Sequence, residues 1–302
     1  MPETASSTWH DELRGEMSYD VQLFDDFVIL KSDGFATYNF AHVVDDHLME
    51  ITHVIRGEEF IASTPRHVEI YMALGWRLPK FVHLPQVLGP DKTKLSKRHG
   101  ARSTAEFERK GYLPGAVLNF LALLGWNEGE GSTKEIYSRD ELIQAFDIHR
   151  IQKSPAVFDI ERLNWLNGVY IRERLSEDEL MQFAEPFWPS FAKDASLDYR
   201  RQVLALVRER LKYLAELEEL TSYFFEAPSL DSQAKAKLRD SKDILQEVQR
   251  ELESCDFSEK CLENHLRQVI TARSLKPREV FQPVRLAVSG QEATPGIFES
   301  LS

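Results

Sequence analysis

The sequence has few of the features that mark secreted, membrane-spanning or metal-stapled proteins. Its 302 residues include two cysteines, Cys255 and Cys261, and no Cys-x-x-Cys pair. Two such cysteines predict reduced thiols in a cytoplasmic protein, and we expect no zinc site in this chain. No apolar run is long enough to span a bilayer, so we expect no membrane partner. The first sixteen residues lack a basic stretch followed by an apolar one, so we expect no signal peptide there.

Positive charge is also scarce. The formal net charge is −12, which argues against a general nucleic-acid coat protein, because such proteins are basic. A local exception runs through residues 91–110, where basic side chains outnumber acidic ones. The basic members are Lys92, Lys94, Lys97, Arg98, Arg102, Arg109 and Lys110.

The stretch from residue 20 to residue 100 alternates between apolar strand patterns and one clear helix. The strand patterns are "FVILK" (27–31), "ITHVIRG" (51–57) and "KFVHLPQVLG" (80–89). Residues 63–76 are predicted to be helical, with Ser63 or Thr64 as the cap and Pro65 in the first turn. Strand, helix and strand at this spacing predict part of a parallel α/β sheet.

The rest of the chain is predicted to be mostly helical. Residues 101–172 have the pattern of short helices joined by loops, and one longer amphipathic helix is predicted over 199–220. Further amphipathic helices follow over 233–254 and 258–274. The tail from residue 275 mixes proline, glycine and basic residues, and we expect no complete element there.

The loop "DKTKLSKRHG" (91–100) has two interpretations. The simpler one is a solvated basic turn between glycines. The other is a mobile clamp on a polyphosphate, in which Lys94 and Lys97 reach one anion and Ser96 adds a hydrogen bond.

A second candidate site lies upstream. Arg56 ends an apolar strand, and Tyr38 and His42 share a face of a helix. Ligands bind beyond the carboxyl ends of strands in open α/β sheets, where an arginine is well placed for a carboxylate. The alternative is that Arg56 pairs with an acidic neighbour, Glu58, Asp45 or Asp46, and has a structural role. His42 and Asp46 also have the spacing of helical metal ligands, but a third ligand cannot be placed, so no metal site is predicted.

Several of these segments together resemble one family. The stretch 25–76, followed by "HLPQVLGPDKTKLSKR" (83–98), resembles the core of bacterial glutamyl-tRNA synthetases, which are class I aminoacyl-tRNA synthetases. The resemblance runs from about residue 11 to the C-terminus. It implies an α/β, incomplete Rossmann-type catalytic half followed by a mostly α-helical stem-contact and anticodon-binding region. The implied domains are 1–100 (catalytic), 101–172 (stem contact) and 173–302 (anticodon binding).

The resemblance also implies roles for individual residues. "KLSKR" is similar to the family's ATP-binding loop, so Lys94 and Lys97 are the expected catalytic residues, with Ser96 binding ATP. Tyr38, His42 and Arg56 are expected to bind glutamate. The remaining expected contacts are Glu59, Phe60 and Val87 near adenosine, and Arg208 and Arg210 on tRNA.

The sequence departs from the family pattern in places. Ala36 replaces a usual proline, Phe60 replaces a larger or polar aromatic residue, and His42 stands where asparagine is common. None of the nine histidines begins a His-x-Gly-His tetrad, which is the N-terminal signature of class I synthetases. The resemblance therefore implies a chain that enters the catalytic domain midway and does not activate glutamate at a useful rate alone.

Three functional hypotheses follow. The first is a truncated glutamate–tRNA ligase that uses glutamate, ATP with Mg²⁺ and tRNA(Glu). The second is a non-catalytic tRNA-binding fragment, and the third is one half of a split synthetase. A cytoplasmic monomer is expected, unless a separate N-terminal half pairs with it.

Overall fold

The computed structural model describes residues 6–20, 26–96, 103–129, 131–292 and 294–302, and the chain forms two compact units. Unit 1 contains Met1–Arg102 and Val117–Ile160, and unit 2 contains Ser103–Ala116 and Glu161–Ser302. Within the described ranges, no helix is both long and apolar enough to cross a membrane.

The elements are numbered in chain order. The strands are β1 Ser6–Asp11, β2 Gly15–Asp20, β3 His53–Gly57, β4 Lys80–Leu84, β5 Val87–Leu88 and β6 Ala156–Val157. The helices are α1 Tyr38–Leu48, α2 Thr64–Ala73, α3 Thr104–Arg109, α4 Pro114–Leu123, α5 Arg139–Ala145, α6 Ile160–Val169, α7 Glu177–Ala184, α8 Leu197–Val207, α9 Leu217–Thr221, α10 Ser232–Asp240, α11 Lys242–Leu252, α12 Glu259–Ala272, α13 Pro277–Ser289 and α14 Ile297–Leu301.

Unit 1 is built on a four-stranded mixed sheet in the order β2-β1-β4-β3. β1 and β2 form an antiparallel hairpin, whereas β4 runs parallel to both β1 and β3. The carboxyl ends of β1, β3 and β4 therefore meet at one edge of the sheet. In the β3–β4 register Arg56 is paired with His83, so their side chains emerge side by side on one face.

Apolar residues on the strands and helices of unit 1 fill its core. Val54 and Phe81 pack with Val68 of α2 and with Trp9, and Val43 of α1 packs against Ile70 and Tyr71 of α2. Burying side chains of this size contributes roughly 1.5–3 kcal/mol each. The packed core fixes α1 and α2 against the sheet edge where the site lies.

The sequence predicted this unit only in part. The strand over 51–57 and the helix over 63–76 are confirmed as β3 and α2, but 80–89 is split into β4 and β5, with Pro85 between them. The strand predicted over 27–31 is wrong. Val28 and Leu30 are exposed, and a turn at Gly34, whose φ is +83°, brings Leu30 to a single bridge with Ala36. The β1–β2 hairpin was not predicted.

Unit 2 is predominantly helical, as expected. The helix predicted over 199–220 is broken, because α8 ends at Val207 and α9 begins only at Leu217. The tail contains more secondary structure than expected, since it forms α13 and α14. Val280 and Val284 of α13 and Ile297 of α14 pack on Leu266 and Val269 of α12. The prediction of an α/β part followed by a mostly helical part is confirmed.

Candidate active site at the carboxyl edge of the sheet

Arg56 is the centre of a polar cluster in unit 1. Its Nε donates to Nε2 of His83 at 3.1 Å, and its Nη2 donates to Oγ1 of Thr64 at 2.7 Å. Its Nη1 lies 3.3 Å from Nε2 of His42 and 3.2 Å from Nδ1 of His67. β3, β4, α1 and α2 each contribute to this cluster, so the guanidinium is held in one orientation.

The acidic neighbours that might have neutralised Arg56 have other partners. Glu58 pairs with Arg14 at 2.6 Å, and Asp46 lies 3.3 Å from Nδ1 of His42. Among the residues that the structure describes, no carboxylate lies within ion-pair distance of Arg56. Burial lowers the pKa of Arg56, although Tyr38 and Asp46 oppose that shift, and the guanidinium remains a cation. A partly buried cation without a direct carboxylate partner among the described residues favours an anionic ligand over a structural ion pair.

A buried carboxylate orients the histidine that holds Arg56. Oδ2 of Asp11 lies 2.6 Å from Nδ1 of His83, and both side chains are almost completely buried. Burial alone would raise the pKa of Asp11. Hydrogen bonds from His83 and from the backbone N–H groups of Arg14 and Leu13 outweigh burial and hold that pKa below its ordinary value. With Asp11 ionised, His83 carries its proton on Nδ1 and leaves Nε2 free to accept from Arg56.

The other two histidines are kept neutral. Burial, reinforced by the nearby charge of Arg56, lowers the pKa of His67 to about 3. His67 Nδ1 accepts from Arg56, and Nε2 donates to Oδ1 of Asn39 at 3.0 Å. Burial also lowers the pKa of His42, despite the opposing charge of Asp46. Both rings therefore act at neutral pH as acceptors for the guanidinium.

Aromatic rings form the walls beside Arg56. Tyr38 stacks on His42 with 5.6 Å between ring centroids, and it lies 6.1 Å from Phe60. The guanidinium carbon of Arg56 lies 5.3 Å from the centre of the Phe60 ring, within cation–π range. Tyr38 is 56% exposed, so it forms the rim of the cluster and leaves the side facing solvent open.

The basic loop leaves the same region of unit 1. Leu95 donates its backbone N–H to Val87 at 2.9 Å, and Gly89 donates to Thr93 at 2.8 Å, which closes a tight turn. Lys94 Nζ lies 3.9 Å from Oε1 of Glu59, and both side chains are largely exposed. Lys97 lies outside the described residues.

The structure thus brings most of the expected site residues of unit 1 into one region. Tyr38, His42, Arg56 and Phe60 contact one another, and Glu59 joins them to Lys94. Sequence reasoning missed four supporting residues. These are Asp11, Thr64, His67 and His83.

The two arginines expected to contact tRNA differ from each other in unit 2. Arg208 donates to three backbone carbonyls, those of Ile171, Arg172 and Leu175, at 2.6–3.1 Å. These contacts give Arg208 a structural role, and its part in tRNA binding stays a prediction. Arg210 is exposed and free to meet a ligand.

Comparison with known proteins supports the resemblance. Residues 1–165 match the family model "tRNA synthetases class I (E and Q), catalytic domain", and residues 179–302 match "Anticodon binding domain". The chain is 41% identical over 315 residues to the glutamate–tRNA ligase of Prosthecochloris aestuarii, covering 100% of this chain and 62% of that protein. It is 41% identical over 312 residues to the glutamate–tRNA ligase of Dehalococcoides mccartyi, covering 100% and 63%.

A solved structure is similar over the same extent. The crystal structure of a glutamate tRNA ligase from Elizabethkingia meningosepticum, in complex with its amino acid, matches with a TM-score of 0.83 and 32% identity. The match covers 99% of this chain and 63% of that one. The chain thus spans about three fifths of the length of the relatives it matches.

Proposed function

The chain belongs to the class I tRNA synthetases for glutamate and glutamine, and from that premise we propose that it works as a glutamate–tRNA ligase. In this reaction a carboxylate oxygen of glutamate attacks the α-phosphorus of ATP, and the bond to pyrophosphate breaks. A terminal ribose hydroxyl of tRNA(Glu) then attacks the glutamyl carbonyl and releases AMP. Mg²⁺ enters with ATP as part of that substrate.

The observation that carries the proposal is the isolated charge of Arg56. Its donors are oriented by His83, Thr64, His42 and His67, which accept its hydrogen bonds. A glutamate carboxylate supplies the missing negative charge, and charge-assisted hydrogen bonds of this kind are roughly twice as strong as neutral ones. Tyr38 and Phe60 limit the space beside that carboxylate.

The basic loop supplies the phosphate side of the reaction. Lys94 and Lys97 stabilise the pyrophosphate as negative charge moves onto it, and Ser96 contributes a hydrogen bond. At an effective dielectric constant of about 20, one such contact at 4 Å is worth roughly 4 kcal/mol before desolvation. Glu59, Phe60 and Val87 lie on the adenosine side of the site.

A second candidate function is tRNA binding without catalysis. It is supported by the match of residues 179–302 to an anticodon-binding domain. In this case the chain contributes tRNA recognition and does not itself activate glutamate. We propose a cytoplasmic monomer unless a separate N-terminal half pairs with the chain, and size-exclusion chromatography with light scattering tests the oligomeric state.

Glutamate binding by calorimetry tests the anion site directly. We expect Arg56→Gln to weaken glutamate binding by at least about tenfold, since one charge-assisted pair is worth roughly 1.5–3 kcal/mol. Lys80→Gln is the matched control, because Lys80 pairs with Glu12 outside the cluster. Equal affinity in Arg56→Gln and the parent chain would rule out the proposed glutamate site.

ATP–pyrophosphate exchange in the presence of glutamate and tRNA separates the two functions. A signal that is lost in Lys94→Ala assigns catalysis to this chain. Absence of exchange, with tRNA still retained on filters, assigns it the recognition role alone.

A further inference from the structure

The two cysteines of the chain meet a histidine in unit 2, far along the sequence from the residues discussed above. Cys255 lies in the loop between α11 and α12, Cys261 lies in the first turn of α12, and His265 lies one turn later. One ligand atom from each residue can be chosen so that all three lie within 4.8 Å of one another. All three side chains are half-buried.

We propose that Cys255, Cys261 and His265 form a binding site for a thiophilic divalent metal ion, with Zn²⁺ as the best fit. Two sulfur atoms and an imidazole nitrogen are a donor set that zinc takes at about 2.3 Å and about 2.0–2.1 Å. Ligand atoms around a tetrahedral ion are then about 3.5–3.8 Å apart. The three ligand atoms lie within 4.8 Å of one another, so a contraction of at most about 1.3 Å brings each pair to that value.

The local structure brings the three ligands together. Cys261 and His265 are four residues apart on one helix, which places their side chains on one face. The loop before α12 is folded back by Asp256, whose carboxylate accepts from the backbone N–H and the hydroxyl of Ser258. Cys255 is thereby returned to the start of the helix.

A fourth group lies beside the histidine. Oε2 of Glu251, near the end of α11, is 3.5 Å from Nδ1 of His265. A carboxylate in contact with the ring of a metal-binding histidine fixes its orientation and increases its basicity. A bound ion would therefore link the end of α11, the loop and the first turns of α12. The fourth position of the ion is left to water.

The expectation from the sequence was that this chain has no zinc site, because zinc ligands are usually recognised from Cys-x-x-Cys pairs. Here the cysteines are six residues apart, and the histidine follows the second after four. The spacing becomes meaningful only when the loop and the helix place the three side chains together. The site shares no residue with the proposed glutamate and ATP sites, so the two proposals can be tested and rejected separately.

Cobalt titration of the reduced chain tests the proposal. The metal-free protein is kept reduced by a phosphine in a buffer that contains no thiol, and Co²⁺ is added in steps. The absorption from thiolate-to-cobalt charge transfer is measured at each step. We expect saturation at one equivalent and displacement by Zn²⁺. Cys255→Ser and Cys261→Ser should each abolish the absorption at one equivalent, and Glu251→Gln should weaken zinc binding by about 10–100-fold. Glu263→Gln is the matched control on α12, because Glu263 pairs with Arg267, and its affinity should be unchanged.

A second measurement on the parent chain does not depend on any variant folding. One equivalent of Zn²⁺ should slow alkylation of both cysteines, whereas Mg²⁺ should not. The proposal is overturned if the reduced chain shows no charge-transfer absorption and zinc gives no protection. It is also overturned if Cys261→Ser keeps the full absorption, or if the cysteines only form a disulfide and take up no metal after reduction.

Discussion

At the scale of single side chains, Asp11 supports the polar cluster through its buried hydrogen bond to His83. Its carboxylate accepts hydrogen bonds from the ring and the backbone N–H of His83 and from the backbone N–H groups of Leu13 and Arg14, so four hydrogen bonds depend on one buried charge. Removing that charge leaves buried donors without their acceptor, which costs more than the hydrogen bonds themselves contribute.

Asp11→Asn is expected to lower the free energy of unfolding by about 2–3 kcal/mol at pH 7, because hydrogen bonds to a buried ionised group are lost. Urea unfolding measures this value. Asp26→Asn, at an exposed position, is the control and should change it by less than about 0.5 kcal/mol. Because the pKa of Asp11 is lowered on folding, its contribution is present above the unfolded-state pKa and is lost as pH falls through the folded-state value. Equal stabilities of the Asn variant and the parent chain would contradict this role.

His67 gives a different pH dependence. Its pKa falls from about 6.5 in the unfolded chain to about 3 in the fold, so the unfolded state binds the extra proton between these values. The contribution of His67 to the free energy of unfolding therefore has its full value above about pH 6.5. Below that pH the free energy of unfolding decreases by roughly 1.4 kcal/mol per pH unit. His67→Gln keeps a neutral acceptor and donor without titrating. Between pH 7.5 and 5.5 the parent chain should lose about 1.4 kcal/mol more than this variant, and identical losses would show that His67 does not remain neutral.

The residues of the site differ in how visible they are in the sequence. Arg56, Tyr38 and the loop lysines stand out because they belong to short motifs whose members are close along the chain. Asp11 and His83 are 72 residues apart, and only the parallel pairing of β1 with β4 brings them together. The local sequence around Asp11 or His83 does not indicate that β1 pairs with β4, so the sequence could not predict the contact between these two residues.

At the scale of secondary-structure elements, two helices end in the same way but in different surroundings. Gly75 follows α2 with φ +67°, and Gly111 follows α3 with φ +71°. A Cβ at Gly75 would have no heavy atom within 4 Å, whereas one at Gly111 would lie 2.6 Å from Cβ of Leu214 and 2.7 Å from the ring of Phe187. The turn after α3 therefore needs glycine both for its backbone conformation and for space.

Gly75→Ala should cost about 1–2 kcal/mol, which is the penalty of a left-handed conformation for a residue with a Cβ. Gly111→Ala should cost clearly more, by roughly a further 1–3 kcal/mol of overpacking. Chemical denaturation of the two variants gives the comparison. If both variants lost the same free energy of unfolding, Leu214 and Phe187 would have to move aside without an energetic cost.

Helices and strands were predicted well where packing agrees with the local pattern. β3, α2 and α12 follow their apolar periodicity and were anticipated. The run at 27–31 is apolar and β-branched, yet among the described residues its one β-pairing is the isolated bridge of Leu30 with Ala36, so its pattern alone predicts the wrong structure. The tail forms α13 although Pro283 lies inside it, because its valines are buried against α12.

At the scale of the whole molecule, the net charge of −12 opposes binding of a polyanion, so the proposed binding of tRNA requires local positive charge. Arg210→Gln is expected to weaken tRNA binding at low salt and to reduce the slope of log K against log salt by about 1. Arg201→Gln is the control, because Glu177 and Asp178 already neutralise Arg201. Filter binding across a salt series measures both. An unchanged slope in Arg210→Gln would remove Arg210 from the tRNA interface.

The division of the chain into units has a consequence for its synthesis. Residues 103–116 belong to unit 2 but are made before residues 117–160, which complete unit 1. As the polypeptide leaves the ribosome, the first segment of unit 2 therefore waits for partners, including Asn164 and Asn167, that emerge about fifty residues later. Its apolar residues Tyr112 and Leu113, both buried in the finished fold, stay uncovered during that interval and are natural targets for chaperones.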